Sequence, residues 1–385
     1  MMSLLANKRS EIHPFWTQAR RAPGRLGHVT PTKAVILAHP QDVLSPAGSS
    51  PRFVRDSLPP APLLSVANRP LVAHAVSWLQ QAGVREAAVI VPGELAEAVR
   101  RAVAGAAPTL DISWLEQVPD ETLPWSLGRV SDFLGGEQFV LHMADSVAKQ
   151  SLASLMSEAD DDDVEALLME DDSNAVGLGQ VVELRPSRNG ASRTRSSKAA
   201  GVAVLCADAI EAAQTLDIRT ECVAEALAEA IGDRGGCVRT RGVRDWWRFR
   251  GGGADALLEG NRFALEGQAA DLTEAQVVDS KIQGPVVAHP LARIESSIVR
   301  GPAVIGAGAH LRNAYVGPYT SIGDDVLVEG AEIEHSVILA GACISHLGGR
   351  LEASVVGPKC KVFRDFRLPR ALRLTLGEGA EVSLT

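Results

Sequence analysis

Two side chains capable of acid–base or metal chemistry stand directly after strongly apolar runs. His39 follows KAVILA (33–38), and Asp145 closes EQFVLHMAD (137–145). Continuous apolar runs of this length are typical of buried parallel strands. In nucleotide-binding α/β proteins the first strand usually leads into a glycine-rich turn, whose backbone N–H groups approach a phosphate. Here that turn reads His39-Pro40-Gln41-Asp42, which does not offer the expected donors.

The elements that must position these residues alternate between helix and strand. RPLVAHAVSWLQQAGV (69–84) has the spacing of an amphipathic helix, and EAAVIV (86–91) predicts the strand after it. GELAEAVRRAVAG (93–105) predicts a second helix, and KAAGVAVLCADAIEAAQTL (198–216) a strand that leads into a helix. This alternation predicts a mostly parallel, doubly wound sheet, whose ligands bind at the carboxyl ends of the strands.

The pattern changes near residue 267. Over 294–344, apolar residues recur about every six positions with glycines beside them. Three such hexads close one triangular coil of a parallel β-helix, and stacked coils share a core. We therefore predict a flexible N-terminal tail (1–31), an α/β domain (32–267) and a β-helix of hexapeptide repeats (280–385). The alternating segment LRLTLGEGAEVSL (372–384) predicts an edge or capping strand.

Composition limits which binding partners and which cellular compartment the protein can be expected to have. The formal net charge of -9 argues against nucleic acid and anionic membrane surfaces as partners. No apolar run approaches the roughly 20 residues of a membrane span, and the first 30 residues lack the apolar core of a signal peptide. The five cysteines are scattered without a C-x-x-C pair. These features predict a reduced, cytoplasmic protein.

One stretch resembles a known family. PLLSVANRPLVAHAVSWLQQAGVREAAVIV (62–91) closely resembles the sugar-1-phosphate nucleotidyltransferases. The order of parts resembles that of the long-form glucose-1-phosphate thymidylyltransferases, and WWRFRGGGADALLEGNRFAL (246–265) and AYVGPYTSIGDDV (314–326) match in order and spacing. The resemblance implies a Rossmann-like doubly wound domain followed by a left-handed β-helix. It also implies transfer of a nucleotide from a nucleoside triphosphate to a sugar 1-phosphate, with release of pyrophosphate.

Most phosphate-binding positions of that family are replaced in this chain. In the loop after the first strand, Pro40 has no N–H to donate and Asp42 would repel a phosphate. Ala61 stands where the family has a phosphate-binding lysine. The segment 39–61 is longer than the family's loop, so Gly48-Ser49-Ser50 with Arg52 or Arg55 is either a displaced phosphate cradle or a flexible loop.

Two ligand-binding positions keep their chemistry in part. Gln117 matches the glutamine that reads the base, although Thr122-Leu123-Pro124 and Trp125 crowd the same place. Arg185 keeps the positive charge that would hold a sugar phosphate, whereas Leu184 cannot accept a hydroxyl group.

The expected metal pair is incomplete. In the family two aspartates hold the Mg²⁺ that bridges the phosphates. Asp145 stands at the first position and Phe249 at the second, so a metal role of Asp145 is doubtful. Asp145 instead caps a helix or pairs with Arg250 in the competing interpretation. Asp145, Arg248, Arg250 and His39 remain the candidate catalytic residues of a remodelled pocket.

Other charged segments favour simpler interpretations. SEADDDDVEALLMEDD (157–172) predicts a solvated loop and a helix start, and RPSRNGASRTRSSK (185–198) a surface loop. Three histidines, His310, His335 and His346, lie in the β-helix, a fold that hexapeptide acyltransferases use with a histidine base. They are equally compatible with surface corner residues.

We arrive at two functions from the sequence. The first is a nucleotidyltransferase-like protein that has lost nucleotidyl transfer and serves as a binding, scaffold or regulatory homologue. It would act as a homo-oligomer or with an active homologous subunit, and a nucleotide or sugar phosphate is its candidate ligand. The alternative is a repurposed or still active nucleotidyltransferase of nucleotide-sugar or natural-product metabolism, with Mg²⁺ as cofactor if activity remains.

Overall fold

A mixed sheet and its helices form the first part of the molecule. The computed structural model describes residues 26, 30–39, 59–118, 123–156, 164–171, 182–184, 199–213, 223–251, 253–272 and 274–366. The strands of this part are β1 (Lys33–Leu37), β2 (Ser65–Val66), β3 (Arg69–Pro70), β4 (Glu86–Pro92), β5 (Asp111–Gln117), β6 (Phe139–His142), β7 (Ser146–Ala148), β8 (Ala166–Asp171), β9 (Val182–Leu184), β10 (Ala199–Leu205), β11 (Val238–Val243) and β12 (Trp246–Arg248).

The helices cover both faces of that sheet. They are α1 (Leu71–Gln81), α2 (Gly93–Val103), α3 (Leu123–Gly128), α4 (Ser131–Leu134), α5 (Leu152–Met156), α6 (Ala209–Ala213), α7 (Val223–Asp233) and α8 (Gly253–Leu265), and a short 3-10 helix covers Ala61–Leu63. Helix α1 begins directly after Pro70, and Gly83 follows its end with a φ of 89°, a conformation that glycine adopts at little cost. None of the helices described is both long and apolar enough to cross a membrane.

Strand order places several carboxyl ends at one edge. The eight-stranded sheet has the order β5-β4-β1-β6-β10-β8-β11-β9, and β5, β4, β1 and β6 are parallel as predicted. Strand β10 is antiparallel to both β6 and β8, and β9 to β11, so among the described strands the sheet is mixed, with four parallel and three antiparallel pairings. The sequence could not show this, because a strand buried on both faces has the same continuous apolar pattern whether it runs parallel or antiparallel to its neighbours.

Alternate residues of each central strand enter separate apolar layers. Ala34 and Ile36 of β1 pack in one cluster with α1, and Val35 and Leu37 pack in the other with α7. The acidic segment also contributes to the sheet, because β8 is a strand with residues 166–169 buried. The predicted helix start at 157–172 is therefore wrong over these residues, since the short apolar run ALLM outweighs the carboxylates beside it.

Three parallel sheets form the second part. One contains β13 (Gln276–Val278), β16 (Arg293–Glu295), β19 (His310–Arg312), β22 (Leu327–Glu329), β25 (Cys343–Ser345) and β28 (Lys361–Phe363). The second contains β14 (Lys281–Gln283), β17 (Ile298–Arg300), β20 (Tyr315–Val316), β23 (Glu332–Glu334) and β26 (Arg350–Glu352), and the third β15 (Val286–Ala288), β18 (Ala303–Ile305), β21 (Thr320–Ile322), β24 (Val337–Ile338) and β27 (Val355–Val356).

The repeat closes coils as the hexad spacing predicts. Ile294 stacks on Leu311, and Leu311 on Val328, so that each coil contributes one buried residue to a shared apolar column. Corner residues such as Ser296 and Asn313 have a φ near 48°, which turns the chain sharply between strands. The expected left-handed β-helix is thus confirmed, whereas the segment 372–384 lies outside the described residues.

The two parts share a buried junction. Asn261 of α8 is fully buried, and its side-chain oxygen accepts hydrogen bonds from the Ala67 N–H and the Ser321 hydroxyl. Its amide donates to the Tyr319 carbonyl at 3.0 Å, and the Asn68 amide donates to the Ile322 carbonyl at 2.6 Å. Three of these four bonds cross from the sheet domain to the β-helix and fix one against the other, since a buried polar group is costly without a partner.

Candidate active site

The carboxyl edge of the parallel strands collects most of the candidate residues. His39 lies two residues beyond β1, Gln117 ends β5, and Asp145 lies three residues beyond β6. Arg248, the last residue of β12, reaches the same place from a distant part of the sequence. The structure thus brings together Asp145 and Arg248. His39 follows β1, the neighbour of β6, whereas Gln117 ends β5, which β4 separates from β1.

A buried ion pair occupies this edge. Two nitrogens of Arg248, Nε and Nη2, donate to Oδ2 of Asp145 at 2.9 and 2.8 Å. Their side chains are only 7% and 3% exposed, so solvent screens the pair weakly. Arg248 thus pairs with Asp145, where the sequence had offered a helix cap or a pair with Arg250. Arg250 itself is exposed.

Local strand pairing explains why Arg248 takes this place. Strands β7 and β12 are antiparallel, and Arg248 lies opposite Ser146. The Phe249 N–H then donates to the Asp145 carbonyl at 2.8 Å, which holds the chain close to the carboxylate. Side chains alternate along a strand, so Arg248 faces the edge while its neighbours Trp247 and Phe249 enter an apolar cluster.

A glycine in β10 makes room for the pair. Gly201 has a φ of 78° and lies where the register of β10 against β8 shifts. A Cβ atom there would stand 2.8 Å from Nε of Arg248 and 2.9 Å from Oδ1 of Asp145. The Gly201 carbonyl accepts the Met143 N–H at 2.9 Å. The backbone of β10 therefore forms one wall of the ion pair, at a distance that only glycine permits.

The expected second carboxylate position belongs to the junction core. Phe249 is 9% exposed, and its ring centroid lies 6.3 Å from that of Trp247. Ala61, at the position of the family's lysine, is 5% exposed and belongs to the same cluster. That cluster joins the sheet domain to β-helix residues such as Val304 and Val337. Both altered positions thus contribute to packing between the two parts of the chain.

The residues do not fit the Mg²⁺ ion that the family resemblance implies. Mg²⁺ requires near-octahedral oxygen ligands, usually including one or two carboxylates. Here the Asp145 carboxylate accepts two bonds from a guanidinium, and Phe249 offers no ligand atom. Within the part of the chain that the structure describes, no group of three His, Cys, Asp or Glu side chains is arranged to hold a metal.

Two buried histidines lie on the strands of this edge, and the sequence pointed to only His39. His142 interacts electrostatically with Asp145 and Arg248, whereas His39 interacts with Glu94. Burial lowers the pKa of His39 to about 4, and His39 Nε2 has no hydrogen-bond partner among the described residues. Burial also lowers the pKa of His142 to about 4. Its Nδ1 accepts the Ala144 N–H at 2.9 Å, so the neutral ring carries its proton on Nε2. Neither ring supplies a positive charge at neutral pH.

The predicted base-reading residue is held in place by a serine. Gln117 is buried, and its Nε2 donates to Oγ of Ser126 at 2.6 Å. Trp125, expected to crowd this place, is 59% exposed and stacks against Arg129 at 5.4 Å. Arg185, Pro40 and Asp42, like the loop from 40 to 58, lie outside the described residues.

The three β-helix histidines lie at different positions of the coils, His310 in β19 and His335 and His346 at corners. His310 Nε2 lies 3.2 Å from a Glu295 carboxylate oxygen on the neighbouring coil. His335 and His346 occupy corners and have positive φ angles, and their rings contact Tyr319 and Phe366 respectively. Each has a local structural partner, which favours the interpretation as corner and surface residues over an acyltransferase base.

Comparison with known proteins identifies several relatives. Glucose-1-phosphate thymidylyltransferases of Streptomyces antibioticus and Streptomyces griseus are each 29% identical to this chain, over 84% of it and 93% of either relative. The low-salt glycan biosynthesis nucleotidyltransferase Agl11 of Haloferax volcanii is 27% identical, over 84% of this chain and 94% of the relative. No protein-family model matches the chain. These relatives confirm the resemblance to sugar-1-phosphate nucleotidyltransferases.

A solved structure from Bacillus anthracis also matches. It is a provisionally assigned glucose-1-phosphate thymidylyltransferase in complex with a sucrose. It is 17% identical, covers 62% of this chain and 97% of its own length, and gives a TM-score of 0.47.

Proposed function

We propose that this nucleotidyltransferase homologue binds a nucleotide or a sugar phosphate at the edge beside Asp145 without transferring a nucleotide. It serves as a binding, scaffold or regulatory protein. One observation carries the proposal: Ala61 and Phe249, the positions of the family's lysine and second aspartate, are packed in the junction core. Restoring the family's lysine at position 61 or its aspartate at position 249 would therefore disturb the packing between the two parts of the chain.

Charge at the edge supports the same conclusion. In nucleotidyl transfer the sugar phosphate attacks the α-phosphorus, and catalysis depends on positioning and on neutralising the transferring group. Arg248 is the cation described beside Asp145, and its charge is already balanced by that carboxylate. Electrostatic contributions to such a step are about 3 kcal/mol or more for each donor. A site that lacks several of them retains little acceleration.

Pyrophosphate release tests the loss of activity. Each common nucleoside triphosphate is incubated with glucose 1-phosphate, Mg²⁺ and a high concentration of the protein. We expect no release above that of an Asp145→Asn control. Turnover near the ~10 per second that is typical of enzymes, abolished in the control, would overturn the proposal.

Ligand binding needs a separate measurement. Thermal unfolding is followed with nucleotides and sugar phosphates, once with Mg²⁺ and once with EDTA. We expect a ligand to raise Tm equally in both conditions, because Arg248 rather than a metal balances Asp145. Stabilisation that requires Mg²⁺ would favour an active enzyme instead.

A repurposed enzyme is the second candidate. The observation that favours it is the neutral His39 at the same edge, whose Nε2 has no partner within the described ranges. A neutral imidazole can accept a proton from a substrate hydroxyl. Product formation from an activated sugar other than the family's usual substrates, lost in His39→Gln, would support this candidate.

Assembly is part of the proposal. Val277 and Val278 of β13 are 38% and 53% exposed on the first strand of a β-helix sheet, and exposed edge strands are commonly covered by another chain. We expect light scattering to give a mass above that of the monomer, and Val278→Asp to lower it. A monomeric mass at all concentrations would contradict self-association.

A further inference from the structure

One corner of the β-helix differs from the others in length. Buried residues of the first and second sheets follow each other in steps of five, as from Ile294 to Val299, Leu311 to Val316 and Val328 to Ile333. The next coil takes a step of seven, from Ile344 to Leu351. Strand pairing resumes afterwards in register, with Leu351 opposite Ile333. The two additional residues are therefore accommodated outside the coil, in the segment Leu347-Gly348-Gly349.

This segment forms a wall of a groove of about 520 Å³. The groove runs along the stacked corners of three coils, where Ser296, Asn313 and Gly330 lie one above another. Its side is formed by Ile298, Tyr315 and Arg350 of the second sheet. A Cβ atom on Gly349 would have no neighbour within 4 Å, so this wall borders open space. The volume lies within the range of small-molecule sites.

The groove offers an aromatic surface with polar groups around it. The Tyr315 ring lies 5.1 Å from the guanidinium of Arg350 and 5.8 Å from that of Arg300. Ile298 is 42% exposed beside it. Ser296 and Asn313 add a hydroxyl and an amide that can both donate and accept hydrogen bonds. Both guanidinium groups lie over the Tyr315 ring, so the apolar surface on offer is the ring together with the exposed Ile298. Such a surface, with hydrogen-bonding groups around it, matches a ligand with one apolar face and many hydroxyls.

The charges of the groove balance. Arg350 pairs with Glu334 at 2.7 Å and with Glu332 at 3.4 Å, and Arg300 Nε donates to the Gln283 side chain at 2.9 Å. The groove itself is lined by one guanidinium, Arg350, and one carboxylate, Glu332, and their charges balance, so the groove has no net charge with which to attract a phosphate. We propose that this groove binds the pyranose ring of a neutral carbohydrate, independently of the function of the sheet edge.

Fluorine NMR tests the proposal on the full chain. The sequence contains only two tyrosines, Tyr315 in the groove and Tyr319 at a different corner. A 3-fluorotyrosine sample therefore gives two signals, which Tyr315→Phe assigns. The probes are glucose, galactose, mannose and their methyl glycosides, with glucose 1-phosphate and inorganic phosphate as anionic comparisons. We expect a neutral sugar to shift the Tyr315 signal in a saturable manner while the Tyr319 signal stays constant.

Variants separate a built site from a passive surface. Deleting Gly348 and Gly349 restores the five-residue step, and we expect it to weaken sugar binding at least tenfold. Because this deletion could disturb the coil, Arg300→Ala serves as a second variant at an exposed position. We expect it to weaken sugar binding as well, and an unchanged Tyr319 signal shows that each variant is folded. The proposal is overturned if no sugar shifts Tyr315, if both tyrosines shift in proportion to sugar concentration, or if the anions bind more tightly. It also fails if Tyr315 broadens with protein concentration alone, since a second copy would then cover the groove.

Discussion

The sheet edge and the β-helix surface use the same pair of chemical groups under opposite conditions. At the edge, Arg248 and Asp145 are 7% and 3% exposed and lie 103 positions apart in the sequence. On the β-helix, Arg312 and Glu329 are 48% and 23% exposed and lie on stacked strands of adjacent coils. The first pair holds distant segments together in a desolvated site, whereas the second remains in contact with water. The loss of unfolding free energy on substitution should therefore depend on how deeply each pair is buried, since the chemical groups are the same.

Removing the buried cation should have the largest effect. Arg248→Met leaves the Asp145 carboxylate without its guanidinium, and such losses cost about 3–5 kcal/mol. We expect the free energy of unfolding, measured by urea denaturation with tryptophan fluorescence, to fall by this amount. Arg248→Lys keeps the charge but cannot place two nitrogens on Oδ2, so its loss should be smaller. A change below 1 kcal/mol in Arg248→Met would show that water reaches the pair.

Buried histidines make stability depend on pH: His142 and His39 on the strands of this edge, and His74 of α1, whose pKa burial also lowers to about 4. The pKa of His142 is lowered from 6.5 to about 4 by burial, so between these values the unfolded chain binds a proton that the folded chain does not. This contribution is fully present above pH 6.5 and is lost as pH falls towards 4. It amounts to on the order of 3 kcal/mol. His39, with the same direction of shift, adds to it.

An amide at position 142 checks this slope. His142→Asn retains an oxygen that can accept the Ala144 N–H, but it does not titrate. We expect the unfolding free energy of this variant to fall less steeply between pH 6.5 and pH 4.5 than that of the unaltered protein. Equal slopes for the two proteins would mean that the buried ring does not control this transition.

Backbone packing around the buried pair gives the next effect. Gly201→Ala introduces a side chain at a φ of 78°, and its Cβ would approach both partners of the pair. A residue forced into such a conformation costs roughly 1–3 kcal/mol. Gly235→Ala is the matched control, because Gly235 has a φ of 86° and a Cβ atom there would meet no other atom within 4 Å. The difference between the unfolding free energies of the two variants measures the contact with the ion pair. Equal losses would mean that backbone strain alone accounts for the effect of Gly201→Ala.

The same contrast explains how far the sequence could be interpreted. Local patterns were sufficient to predict the strand before Asp145, α1 and the hexad repeat, because each of these depends on residues that lie close together in the sequence. The choice of Arg248 over Arg250 depends on the pairing of β12 with β7, which no local spacing records. The position of Gly201 against the ion pair depends on a register shift in β10 and could not be predicted either.

The junction illustrates a second limit. Sequence comparison could identify Ala61 and Phe249 as departures from the family's pattern, and it interpreted them only as lost ligands. Their membership of one apolar cluster became evident only with the β-helix packed against them. A truncation from Gln283 onward would remove the β-helix members of this cluster and expose the rest to water. Assembly is therefore better tested on the full chain.

The smallest effect is expected at the exposed pair of the β-helix. Arg312 and Glu329 are both strand residues on the outer surface, and Arg312→Met removes the same guanidinium chemistry as Arg248→Met. Exposed pairs contribute about 0.2–1 kcal/mol, because water and salt screen the charges and both side chains lose freedom when they pair. A double-mutant cycle of Arg312→Met with Glu329→Gln isolates the coupling from other effects of either change. We expect a coupling below 1 kcal/mol that decreases as salt is added. A coupling as large as the loss in Arg248→Met would mean that this surface is desolvated in solution, as it would be if another chain covered it.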